Sequence, residues 1–147
     1  MLNLKNNIFI HVVIPMLVGG FIYILFREQN ILMFRWFDFL GFDYLITHSK
    51  EAFYNNNMLP FWVKYSLPDG IWVYSMTSLM LIIWHNNTSS FKYIWILIGP
   101  FFGLFLELGQ LVNIISGTYD HIDLLFTIFF SIIPFLIFKL KLNRRPL

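Results

Sequence analysis

The chain has 147 residues, of which 58% are hydrophobic, 20% aromatic and only 12% charged. That balance excludes a soluble globular protein, and the length gives room for one domain. Cysteine is absent, which excludes disulfides and thiolate chemistry, and a formal charge of +2 with no basic stripe excludes a nucleic-acid partner.

In chain order, the apolar run at 8–26 is longer than the ~7–15 residues of a signal-peptide core, and no small-residue cleavage site follows it. It is expected to be a retained first span. Further spans are expected near 69–86, 92–115 and 121–139, each close to the ~17–25 residues needed to cross a bilayer. The fold class is therefore all-α: a polytopic membrane protein of four transmembrane helices. Pro100 in the third span and Pro134 in the fourth are expected to kink or loosen their helices.

Between the first two spans, the stretch around 30–46 is rich in Phe, Trp and Leu but interrupted by Arg35, Asp38, Gly41 and Asp43. That pattern fits a segment lying in the membrane interface. The following residues, with an Asn run and two prolines, read as a loop. At the head of the second span, Ser66 or Asp69 is expected to cap the helix, with Pro68 in its first turn.

Orientation follows from Lys and Arg. Lys139, Lys141, Arg144 and Arg145 form the densest basic cluster, so the positive-inside rule puts the C-terminus in the cytoplasm. Four spans then put Lys5 and Lys92 on the same side, and the 113–120 turn, which has no Lys or Arg, outside. Arg27, Arg35, Lys50 and Lys64 would also lie outside. Were 30–46 to cross, the N-terminus would flip.

Residues three and four apart share a helix face. Gly103, Glu107 and Gln110 make one polar stripe, and Asp120, Asp123, Thr127 and Ser131 another, joined by a turn short enough to bring the two together. Asp120 and Asp123 also suit an N-cap and a first helical turn, where carboxylates are favoured, so capping and function stay open for that pair. Glu107 has no such reason to be mid-helix, and a buried carboxylate is costly unless used. Its structural alternative is a hydrogen bond holding helices together. His11 aligns with Pro15 and Gly19 and is expected to bond across the bundle. His121 raises the prospect of a metal site with Glu107, Asp120 and Asp123, but it projects about 100° from Asp120, and helical metal-site spacings are absent. Neither metal nor cofactor is expected.

The pattern Glu107-Leu-Gly-Gln110, then Gly117-Thr-Tyr-Asp120-His-Ile-Asp123, resembles the core of the VanZ-like family of bacterial membrane proteins. The resemblance covers about thirty residues. Family members commonly have an Asn and a Gly where this chain has Thr127 and Phe130, and many have an Asn or His on the preceding helix, where this chain offers Asp69 and some serines. It therefore looks like a divergent branch. The family is named for an accessory protein that raises teicoplanin resistance.

The resemblance implies a multi-pass protein of the bacterial cytoplasmic membrane with a polar outer pocket of Glu107, Gln110, Asp120, Asp123 and Thr127. The expected partners are membrane lipids or lipid-linked cell-wall precursors, with acyl or prenyl chains between spans three and four. Gln110, Thr127 and Tyr119 would give neutral hydrogen bonds. Two alternatives stand beside this reading: an intramembrane carboxylate-dependent enzyme with Glu107 as general base, and a structural subunit whose polar stripes satisfy one another.

Overall fold

The computed structural model describes residues 3–27, 32–54, 59–115 and 117–142, and all regular structure among them is helical. The Asn run at 55–57, Arg144 and Arg145 lie outside the described residues, as do the side chains of Lys139 and Lys141. In chain order the helices are α1 (Leu4–Phe26), α2 (Leu32–Phe39), α3 (Asp43–Tyr54), α4 (Phe61–Lys64), α5 (Ser66–Ile83), α6 (Lys92–Ile96), α7 (Ile98–Leu111) and α8 (His121–Leu142). Among the described residues, three helical stretches, Leu4–Phe26, Ser66–Ile83 and His121–Phe138, are long and apolar enough to cross a membrane.

The second of these begins three residues earlier than the sequence suggested and lies at the centre of the bundle. It is the least apolar of the three, and half its residues are buried against protein. Small side chains on two faces make that possible. Ser66, Gly70, Val73 and Thr77 turn one way and Ile71, Ser75, Ser78 and Ile82 the other, all buried. Two of its hydroxyls are satisfied by its own backbone: Ser75 Oγ donates to the Ile71 carbonyl at 2.8 Å and Thr77 Oγ1 to the Val73 carbonyl at 2.7 Å.

The expected third span, 92–115, is broken and shorter. Pro100 has no N–H for the Ile96 carbonyl, and its ring crowds that carbonyl, so α6 ends at Ile96 and α7 restarts at Ile98. At the other end, Asn113 takes the left-handed conformation (φ 58°), its N–H reaches the Gln110 carbonyl at 3.1 Å, and the Ile114 N–H reaches the Gly109 carbonyl at 2.9 Å. This pair of bonds closes the helix and uses carbonyls that would otherwise lack donors. Ile115 then folds back so closely that a Cβ on Gly109 would lie 2.5 Å from its Cδ1. Pro134 behaves differently: α8 runs through it unbroken, with the ring buried. In α1, a wide π-helical turn at Phe9–Val13 precedes Pro15, whose missing N–H deprives the His11 carbonyl of its regular donor.

Side-chain contacts fix how the long helices run. Gly19 lies on Ile71, and His11 Nδ1 pairs with the Tyr74 hydroxyl at 2.6 Å, so α1 and α5 are antiparallel. Gly99 faces Thr77 and Gly103 faces Val73, so α7 also runs against α5. Gly103 also meets Thr127, while Tyr74 packs on Phe130 and Ile82 clusters with Phe138, which makes α8 parallel to α5. One end of the bundle is closed by an apolar cluster of Val12, Ile82 and Phe138. The other end gathers Arg27, the heads of α5 and α8, and the tail of α7.

The 27–67 segment leaves and returns at that second end. It is more helical than the loop expected after residue 50. α2 and α3 meet at Gly41 (φ 78°), Phe53 of α3 packs edge-on against Phe21 of α1, and Lys50 donates to the Arg27 carbonyl at 2.5 Å.

Candidate acidic site at one end of the bundle

Glu107 sits one turn before the end of α7 and is only 6% exposed. The small Gly103 one turn earlier explains why. A Cβ there would lie 2.7 Å from Val73 and 2.8 Å from Thr127, so α7 packs closely enough onto α5 and α8 to carry the following carboxylate inside. Glu107 lies in the fields of Asp123, Asp69, Asp120 and Arg27, and Asp69 in that of Asp123. Carboxylates from three helices and one guanidinium therefore share a single electrostatic neighbourhood.

The two aspartates at the head of α8 differ in what they bond. Asp120 is the cap: its Oδ1 accepts from the Ile122 N–H at 2.9 Å. Asp123 makes no such bond, and its buried Oδ1 has no hydrogen-bond partner among the described residues. The same holds for Oε2 of Glu107, Nε of Arg27 and Oγ of Ser66. Buried polar atoms in proteins are nearly always paired, so four orphans around one bundle end mark that end out.

The remaining sequence-expected residues are distributed differently. Thr127 is buried against Gly103. Gln110 turns to the α7–α8 connection, where a Cβ on Gly117 (φ 148°) would lie 2.8 Å from its Cδ. His121 is exposed and pairs through Nδ1 with the Tyr119 hydroxyl at 3.0 Å, which also occupies the tyrosine expected at the pocket. Among the described residues, no group of three or more His, Asp or Glu is placed to hold a metal ion. Ser131 bonds back to the Ile128 carbonyl at 2.9 Å.

Two participants were read otherwise from the sequence. Neither Ser66 nor Asp69 caps α5: Tyr65 occupies the cap position, and no side chain bonds there. Asp69 instead accepts from Arg27 Nη2 at 3.3 Å. Capping lost because the antiparallel approach of α1 delivers a cation to the same height. Arg27 is held between the rings of Tyr23 and Tyr65, with centroids 5.2 and 5.4 Å away. The signal was available as opposite charges at the facing ends of consecutive antiparallel helices. Lys50 adds a second cation nearby, over the Phe34 ring at 4.0 Å, and burial lowers its pKa.

A cavity of about 230 Å³ opens beside Asp69, between α1 and α5. Compared with known protein-family models, curated proteins and solved structures, the chain matches none.

Proposed function

We propose that the chain is a divergent VanZ-like protein of the bacterial cytoplasmic membrane, binding the head group of a lipid or lipid-linked cell-wall precursor at the Glu107–Asp123 cluster. The observation that carries this reading is the pair of buried carboxylate oxygens, Glu107 Oε2 and Asp123 Oδ1, without partners among the described residues. Placing carboxylates in an apolar bundle is costly, and leaving their oxygens unpaired costs more, so a ligand that completes them explains both.

Four crossings are part of the proposal. α7 has 14 residues, about 21 Å of helix, short of the ~30 Å hydrocarbon core. The five residues of α6 lie immediately before it, and the alternation of α1, α5, α7 and α8 requires a return at this position. The segment from α2 to α4 stays at the acidic end, and Trp36, Phe39 and Tyr44 stand exposed on it, as suits an interfacial segment. Lys5 and Lys92 share the opposite end with the last turns of α8, which favours that end as cytoplasmic and the acidic site as external. The cations at the acidic end are partly consumed within the protein: Arg27 by Asp69, and Lys50 by the Arg27 carbonyl.

The test is glycopeptide susceptibility of a sensitive Gram-positive host expressing wild type, Glu107→Gln or Asp123→Asn at equal membrane abundance. Protection by wild type and by neither isosteric variant is expected. Equal protection by all three makes the carboxylates structural and removes the proposal.

A further inference from the structure

The cavity between α1 and α5 is lined by Met16, Gly19, Gly20 and Tyr23 on one side and by Asp69 and Trp72 on the other. The two adjacent glycines have separate consequences. At Gly19 a Cβ would lie 3.1 Å from Ile71 Cγ2, so its absence sets how closely the helices approach. At Gly20 a Cβ would have no heavy atom within 4 Å, so its absence leaves open space. At about 230 Å³ the cavity is below the ~300–1,000 Å³ of an ordinary small-molecule pocket. Its apolar walls and size fit a stretch of one aliphatic chain.

Asp69 lines the cavity and pairs with Arg27 at 3.3 Å, at the same end of the bundle as the unpaired oxygens of Glu107 and Asp123, so the cavity opens beside the charged cluster. The charges of that cluster are unbalanced. Asp69, Glu107 and Asp123 are three carboxylates; Arg27, the cation among them, is already engaged by Asp69 at 3.3 Å, and Lys50 nearby is engaged by the Arg27 carbonyl. Glu107, more than nine-tenths buried, and Asp123 each keep a buried oxygen without a partner among the described residues. A head group that carries no cation leaves that imbalance in place. A primary ammonium offsets one of the charges left over and brings three donors to the two unpaired oxygens.

We infer that this site binds a phospholipid with a primary-ammonium head group. Its ammonium donates to Glu107 and Asp123, its phosphate lies on the Arg27 side, and one acyl chain occupies the cavity between α1 and α5. The inference rests on the proposed head-group function and narrows its ligand.

Trp72 lines the cavity and reports directly on the chain. The full-length protein is placed in phosphatidylcholine vesicles containing an equal mole fraction of brominated phosphatidylethanolamine, phosphatidylglycerol or phosphatidylcholine. The share of fluorescence quenching due to Trp72 is taken as the difference between wild type and Trp72→Phe. Quenching by the ethanolamine lipid several-fold above that by the choline lipid is expected, falling to the choline value in Glu107→Gln and in Gly20→Leu. The leucine fills open space, so a loss there reports occupancy rather than misfolding, and the comparison of head groups on wild type needs no cavity variant. Equal quenching by all three lipids, or an ethanolamine preference that survives Gly20→Leu, overturns the inference. A preference for another head group that disappears in Glu107→Gln overturns it too, yet leaves the head-group function standing. Indifference to both head group and Glu107→Gln removes both.

Discussion

Gly103 is where the packing that buries Glu107 is most easily tested. A methyl group there would lie 2.7 Å from Val73 Cγ2 and 2.8 Å from Thr127 Cγ2, and neither neighbour has room to retreat, being 2% and 1% exposed. Forcing a methylene into so full a junction costs ~1–3 kcal/mol. Replacing Gly by Ala within a helix also recovers ~1 kcal/mol of propensity, which blurs the raw value. Gly20→Ala supplies the control, since it carries the same propensity gain and no collision. The gap between the two variants therefore isolates the packing term at ~1–3 kcal/mol. For a chain of this length each kcal/mol moves Tm by roughly 3 °C, so Gly103→Ala should melt about 3–9 °C below Gly20→Ala. Thermal unfolding of the detergent-solubilised protein, followed by loss of monodisperse material, measures this. Adding Val73→Ala to Gly103→Ala should recover part of the difference, because it removes the atom that collides. Equal melting of Gly103→Ala and Gly20→Ala would refute the packing argument, and with it the account of how Glu107 is carried inside.

Three further outcomes are expected. Asp120→Ala should destabilise by ~1 kcal/mol through loss of the α8 cap and Asp120→Asn by less, as read by Tm, whereas Asp123→Asn should leave the cap untouched. Tyr74→Phe should cost ~1 kcal/mol by removing the hydroxyl that His11 contacts at 2.6 Å, and no loss would mean that this contact does not hold α1 to α5. A double-mutant cycle of Arg27→Met and Asp69→Asn should show coupling of about 1 kcal/mol, modest because both side chains are partly exposed, and additive effects would remove the ion pair as a tie between α1 and α5.

The helical class and the location of the polar stripes were legible because both depend on local pattern. Apolar runs of bilayer length are visible in any window, and Glu107 stands out against its own neighbours. The limits of α7 were harder to place. The break at Leu97 comes from a proline three residues later, and the early end at Leu111 comes from Asn113 in a left-handed conformation, which hydropathy does not register. Pro134 shows the converse, a proline that α8 accommodates without a break. Asp69 was misread because capping is a local argument and its partner lies 42 residues away. Arg27 became visible only when α1 and α5 were paired antiparallel.

The placement of that pair bears on why the site sits where it does. The bundle divides by polarity along its length, with Val12, Ile82 and Phe138 closing one end and the carboxylates gathered at the other. Burying charge is least costly near the membrane boundary, where side chains reach toward water and aromatic rings line the interface. Arg27 at the tail of α1 and Asp69 at the head of α5 meet that condition, and their pairing holds the two helices together at this height, while below them Gly19 lets the helices approach and Gly20 leaves the open space of the cavity. A site with a charged rim and an apolar side pocket follows from that arrangement of two helices. The other two carboxylates, Glu107 and Asp123, then set its sign. Removing Arg27 should therefore do more than loosen α1: it would leave three carboxylates without the cation that stands among them, and Arg27→Met should weaken the phosphate side of any bound head group while Arg27→Lys preserves it in part, as charge without the planar fork.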